Sequence, residues 1–359
     1  MSSRNRISRL IAGLILILAP CISFSQTPVS KEEDALAFKH YCKTLGEGLE
    51  GPLGLNQLTN WPRNSYQNGN FAEVEKYATY WSRPGCSMTD GRSRLTALED
   101  ALSAVAYSPK DWSLPPYQAK QYRKAFPKSP VPVVAEALYW LYYGWEARGT
   151  GYADTISKDG YRLFQQRLHN AEKVLLEAKS YAAESPLWYS TMINVLRGLD
   201  DPSVDPVQVF EEGISRYPWY FPIYFQMTSS LLPWWSGSWE VIDQLAELSV
   251  KNTSKDQGNS LYARIYWNLN GLIYGRPLTL FKDTKAKWPK MKQGFQDLLR
   301  LTPNSLWNRV NYLAFACVAG DRDTFIQVRK SFADEVVVAL WPQITSLDVC
   351  EQKFGFKRK

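Results

Sequence analysis

Histidine is nearly missing from this chain, with His40 and His169 the only two in 359 residues. That scarcity removes histidine-rich metal sites and leaves few bases for a catalytic triad. Neither histidine lies in an HExxH or beside a CxxC, and neighbouring positions on a helix, such as those of His40 and Cys42, do not face each other. No GxSxG elbow, GxxxxGK[ST] loop or GxGxxG turn occurs. No cofactor and no metal are expected. Beyond the N-terminus no apolar run is long enough for a membrane helix, which needs about 20 residues. The sequence also lacks a convincing strand alternation.

Cysteine is sparse too, at five. Cys21 falls within an N-terminal stretch that reads as a secretory signal: Arg4, Arg6 and Arg9 precede the uncharged run LIAGLILILA (Leu10 to Ala19), and small residues follow Pro20. Ser23 and Ser25 occupy the −3 and −1 positions of a cleavage that makes Gln26 the mature N-terminus. Lipidation of Cys21 is a rival reading that the preceding proline disfavours. The expected location is therefore exported, periplasmic or secreted from a bacterium. Four cysteines then remain, and an oxidising compartment permits two disulfides among three connectivities. Sequence proximity favours Cys42 with Cys86 and Cys317 with Cys350, against the alternative that these are buried thiols.

The formal charge of +7 overstates the basic surface. Three arginines leave with the signal, and Lys353, Lys357, Arg358 and Lys359 form a basic tail that solvates the C-terminus or meets an acidic surface. Nucleic-acid binding normally shows as a basic stripe, and none is evident. What the chain has in quantity is aromatic residues, including 14 Trp and 21 Tyr, so large rings are expected in the helix packing.

Apolar residues recur at helical spacing. Phe164, Leu168, Ala171, Leu175, Ala178 and Ala182 form one stripe. Tyr262, Tyr266, Leu269 and Ile273 form another, and Leu95, Leu98, Leu102 and Val105 a third. Shorter stripes are Phe71, Val74, Ala78, Trp81 and Val241, Leu245, Leu248. Three segments align on a proline at the end of a helix, at Pro186, Pro218 and Pro303, with aromatics and a second helix following; proline tolerates a first helical turn but cannot continue a ladder. The Pro186 to Pro218 spacing matches tetratricopeptide-like hairpins, although the pair around residues 238–273 lacks the proline. The expected fold is all-α, stacked antiparallel helix pairs in a degenerate tetratricopeptide-like α-solenoid. Turn chemistry marks Gly46 to Asn70, Ser108 to Pro116 and Lys251 to Gly258 as loops, and residues 276–290 as an irregular excursion. With a boundary near residues 128–132, at SPVPV (Ser129–Val133), the parts are a signal peptide (1–25), an N-terminal helical region (26–130), a repeat region (131–275) and a C-terminal helical region with the basic tail (276–359).

Two segments carry a family resemblance: WEARGTGYADTISKDGYRLF, from Trp145 to Phe164, and LLPWWSGSWEVIDQLAELS, from Leu231 to Ser249. Both resemble domain-of-unknown-function family 4034 over roughly Gly69 to Gly271. The resemblance implies a tetratricopeptide-like fold and no activity. It departs at Trp234, where the family pattern carries Arg.

Arg148 and Tyr152 flank a double-glycine turn that is either a connector or a ligand loop. Trp234, Trp235 and Trp239 lie in a Gly/Ser turn and offer either an aromatic platform or core packing, with Ser238 capping the next helix. Asp205 before Pro206 reads as a helix cap, and Asp321 and Asp323 sit at a helix start, where they favour its dipole. The acidic pairs Asp200/Asp201 and Glu211/Glu212 are the candidate carboxylates for a hydrolase. The expected function is an exported binding or scaffold protein for another protein or a peptide, of an immunity or envelope-accessory type. The competing expectation is an envelope glycan binder or hydrolase working through residues 233–239.

Overall fold

A computed structural model describes residues 30–107, 111–149, 155–235 and 237–358. The expected signal peptide, Cys21 and Tyr152 lie outside the described residues. Among the described residues the chain is all-α, with 17 helices of seven residues or more and no strand. None of these helices is long and apolar enough to cross a membrane.

Ser30 caps α1 (Lys31–Lys39) in a reciprocal box with Glu33, and the chain widens into a π-turn over His40–Thr44. Then come α2 (Gly51–Gln67), α3 (Phe71–Trp81), α4 (Leu95–Ala106), α5 (Leu114–Ala125) and α6 (Pro130–Arg148). The middle of the chain holds α7 (Lys158–Glu177), the short α8 (Lys179–Ala182), α9 (Pro186–Leu196), α10 (Pro206–Arg216) and α11 (Pro222–Ser230). After a 3-10 turn at Pro233–Trp235 follow α12 (Trp239–Gln257), α13 (Ser260–Ile273), α14 (Leu280–Asp283), α15 (Trp288–Leu301) and α16 (Leu306–Ala319). Three short helices close the chain, α17 (Arg322–Arg329), α18 (Asp334–Leu340) and α19 (Leu347–Phe354).

Side-chain caps set many of the starts. Ser157, Asp205, Ser238, Ser305 and Asp321 each accept a backbone N–H from the first turn of the following helix. Pro130, Pro186, Pro206 and Pro222 open their helices, where a missing N–H costs nothing. Gly46 to Asn70 differs from its loop reading, because most of it is α2, with Pro62 buried inside the helix. Burial of Leu58 and Tyr66 against the core outweighs the hydrogen bond that Pro62 removes. The loop reading holds at its two ends, over residues 46–50 with Gly46 and Gly48 at φ 66° and 76°, and at Asn68-Gly69 with Gly69 at φ 71°. Lys251 to Gln257 likewise continues α12, and Gly258 ends it. SPVPV is the cap and first turn of α6, feeding Val131, Val133 and Val134 into the core.

Helices adjacent in sequence pack as pairs, α6 with α7, α9 with α10, α12 with α13 and α15 with α16. Alternate helices also meet, α4 on α6, α6 on α9, α9 on α11 and α11 on α13. One apolar cluster runs from Tyr41 to Phe315, and a smaller one holds Leu313, Cys317, Phe325, Cys350 and Phe354. The stripes from Phe164 to Ala182 and from Tyr262 to Ile273 are buried throughout. On α12 the buried side is Ile242, Leu245, Ala246 and Ser249, while Val241 and Leu248 are exposed, a phase shift of one residue from the expected stripe.

Large rings fill this core and keep their polar edges bonded. Trp81 Nε1 donates to Tyr41 O at 3.0 Å and Trp188 Nε1 to Leu175 O at 2.9 Å. Disulfides join Cys42 to Cys86 and Cys317 to Cys350, with Cα atoms 4.9 and 5.8 Å apart. The first ties the π-turn to the loop after α3, and the second ties α16 to α19. The basic tail folds back, since Arg358 donates to Asp348 and Glu351 on α19. Glu351 also accepts from the buried Arg329.

Candidate functional site

The residues singled out from sequence do not converge. Arg148 ends α6 with its guanidinium 5.2 Å from the Trp145 ring centre, and Gly149 beside it takes φ 75°. Trp235 is half-buried, edge-on to Trp145 at 6.0 Å, with Arg197 at 5.9 Å. Trp234 faces outward, 37% exposed, meets Trp239 edge-on at 6.2 Å and carries Arg276 at 3.9 Å over its ring. The three tryptophans therefore point to two different neighbourhoods. The named acidic residues serve helix pairing: Asp200 accepts from the Tyr161 hydroxyl, and Glu212 from Lys179 and Tyr189.

The most constructed polar arrangement lies where the N-terminal part of the chain meets α13 and α16. The Asp90 carboxylate accepts the Gly51 N–H at 2.9 Å, the Arg92 N–H at 3.0 Å and the Arg92 side chain through Nε and Nη2 at 3.1 and 2.7 Å. Its backbone oxygen accepts from Arg264 Nη2 at 2.6 Å and Asn308 Nδ2 at 3.0 Å. Glu50 accepts from Ser305 Oγ and from Leu306 N at the start of α16, where its charge also complements the helix dipole. Two glycines make the approach possible. Gly51 has φ 65°, and a Cβ there would meet the Trp307 ring at 3.1 Å; Gly91, at φ 82°, would meet Thr302 Cγ2 at 3.0 Å and Arg264 Nη2 at 3.1 Å.

This seam encloses a cavity of about 230 Å³. Arg92 and Pro52 wall it from the N-terminal side, Phe225 from α11, Arg264, Trp267 and Asn268 from α13, and Trp307 and Asn308 from α16. Trp267 and Trp307 lie 6.0 Å apart at 40°. Three of the lining side chains carry a buried polar atom with no partner among the described residues: Arg264 Nε, Asn268 Nδ2 and Asn308 Oδ1. Arg264 is 5% exposed and Asn308 fully buried. Burying such atoms unpaired costs roughly 1–3 kcal/mol each.

Charge follows the same geometry. Burial opposes the Asp90 carboxylate, yet Arg92 and then Arg264 hold it below the usual carboxylate range. Burial pushes Arg264 down to about 10; Asp90 counters this and Arg92 adds to it, so its cation is incompletely compensated. Asp100, held near Arg92, is pushed up to about 6 by burial. Next to it, Glu99 is pushed up to about 7 by burial, against hydrogen bonds from Ser190 and Tyr220. Among the described residues no group of three or more His, Cys, Asp or Glu is placed to hold a metal.

None of these cavity residues stood out in the sequence. Arg264 interrupts the stripe of Tyr262 and Tyr266, and Glu99 lies beside Leu98 on the buried side of α4, so a charge inside an apolar stripe was the available signal. The seam itself joins residues more than 200 positions apart, which no periodicity reports. No protein-family model, curated protein or solved structure matches this chain.

Proposed function

We propose that this chain is an exported binding protein that captures another polypeptide, and that its helix pairs stack in the manner of a degenerate tetratricopeptide-like solenoid. The packing of alternate helices from α4 to α13 supports the repeat reading. Two disulfides fit an oxidising compartment. The observation that carries the binding role is the preformed cavity: it combines two tryptophan faces, two guanidinium groups and unmet polar atoms, the composition of a recognition pocket. The two carboxylates built into the seam are both engaged within it, Asp90 by Gly51 and Arg92 and Glu50 by Ser305 and Leu306. That favours recognition over hydrolysis.

Photo-crosslinking from position 52, at the rim, tests this in the native compartment, with a crosslinker at Lys173, exposed on α7, as the control. A single polypeptide trapped from position 52 and not from position 173 supports the role. Release of sugar fragments from cell-envelope glycan by the purified protein, without such a crosslink, supports the hydrolase reading instead.

A further inference from the structure

We infer that the cavity lined by Trp267 and Trp307 receives the free C-terminal residue of a polypeptide, its carboxylate bound by Arg264 and Asn268 and its backbone N–H by Asn308. This rests on the binding role proposed above and specifies its ligand.

Each part of the ligand answers a part of the wall. Arg264 Nε and Asn268 Nδ2 are donors without partners, which suits an acceptor of one or two oxygens; a guanidinium matches a carboxylate in plane. Asn308 Oδ1 is an acceptor without a partner, and its amide orientation is fixed because Nδ2 already donates to Asp90 O and Thr302 Oγ1. The ligand therefore offers an anionic acceptor and, close by, a donor. Size limits the rest: at about 230 Å³ the cavity is smaller than the ~300–1,000 Å³ pockets that hold drug-sized ligands. Trp267 and Trp307, packed against each other at 6.0 Å, form the apolar part of the wall beside the ligand's side chain. A free amino acid has the same carboxylate but adds an ammonium, which the guanidinium groups of Arg92 and Arg264 repel. An acylated residue has a neutral N–H in that place. Capture of a terminal carboxylate by convergent donors is a recurrent peptide-recognition mode.

Isothermal titration calorimetry of the mature protein with N-acetylglycyl-L-leucine, its C-terminal amide and free L-leucine tests this. The acid is expected to bind at least tenfold tighter than the amide and than L-leucine. Asn268→Leu removes an amide whose Nδ2 has no partner among the described residues, so its melting temperature is expected to match wild type while the acid binds about tenfold more weakly. Arg264→Lys, with folding checked by circular dichroism, should lose the preference for acid over amide. Equal binding of acid and amide overturns the inference, as does L-leucine binding as tightly as the acid, or no binding of any probe to folded protein. A polypeptide crosslinked from position 52 whose capture is indifferent to C-terminal amidation overturns the inference alone and leaves the binding role standing.

Discussion

Single buried charges carry the chemistry that the hydrophobic pattern conceals. Glu99 is enclosed between α4, α9 and the turn before α11, with Ser190 Oγ 2.6 Å from Oε1 and the Tyr220 hydroxyl on Oε2. Ser190 Oγ also lies 3.1 Å from Leu187 O, so a proton on Glu99 completes the set without leaving a hydroxyl short of a partner. Its folded pKa, raised from 4.5 to about 7, means that the folded state holds the proton more tightly than the unfolded chain. The stabilising contribution is thus full below about pH 4.5 and is lost as pH rises through about 7, a change on the order of a few kcal/mol. Urea unfolding of wild type and Glu99→Gln at pH 5 and pH 7.5 reads this directly. The variant should gain on wild type at the higher pH; an unchanged difference between the two pH values would show Glu99 to titrate normally. At this scale the sequence was partly legible. Asp205 and Ser238 were readable as caps, and Asp321 as a residue of a helix start, because such roles depend on the nearest neighbours. Arg264 and Asn308 were not, since their roles depend on a backbone oxygen at Asp90, far away along the chain.

Helices were legible wherever one face is buried along its whole length, as from Phe164 to Ala182. They were misread where local chemistry and burial disagree. Gly51, Pro52 and Pro62 together read as loop, yet α2 forms because its Leu58 and Tyr66 are core residues. Gly51 illustrates a further constraint that the sequence shows only as a turn signal. Gly51→Ala places a Cβ on a left-handed residue, which costs about 1–2 kcal/mol, and drives it towards the Trp307 ring. Thermal unfolding should register that loss, and ligand binding should weaken along with it. A variant as stable as wild type would mean that the N-terminal segment does not sit against α16. The disulfides act at the same scale. Cys317 and Cys350 are 33 residues apart, and Cys317→Ser with Cys350→Ser should destabilise the chain by about 3–4 kcal/mol in the chain-entropy treatment. Free thiols found in unreduced protein purified from its native compartment would contradict the pairing.

Across the whole molecule, helix pairing brings distant parts of the chain together. Residues 50–52 and 90–92 dock on Arg264 and on 302–308, so early and late parts of the chain meet. The all-α class and much of the helix order follow from periodicity and capping. The meeting of the ends does not, because its contacts are single polar bonds and two glycine approaches spread over more than 200 residues. The cavity exists only through that meeting. The Trp234–Trp239 segment, conspicuous in the sequence for its composition, lies apart from it, with Trp235 turned towards Trp145 and Trp234 beneath Arg276. Hydrogen–deuterium exchange of the mature protein, with and without N-acetylglycyl-L-leucine, separates the two places in one measurement. Slowed exchange is expected at residues 50–54, 90–94, 262–269 and 304–310. Protection confined to residues 231–241 would contradict binding at the seam.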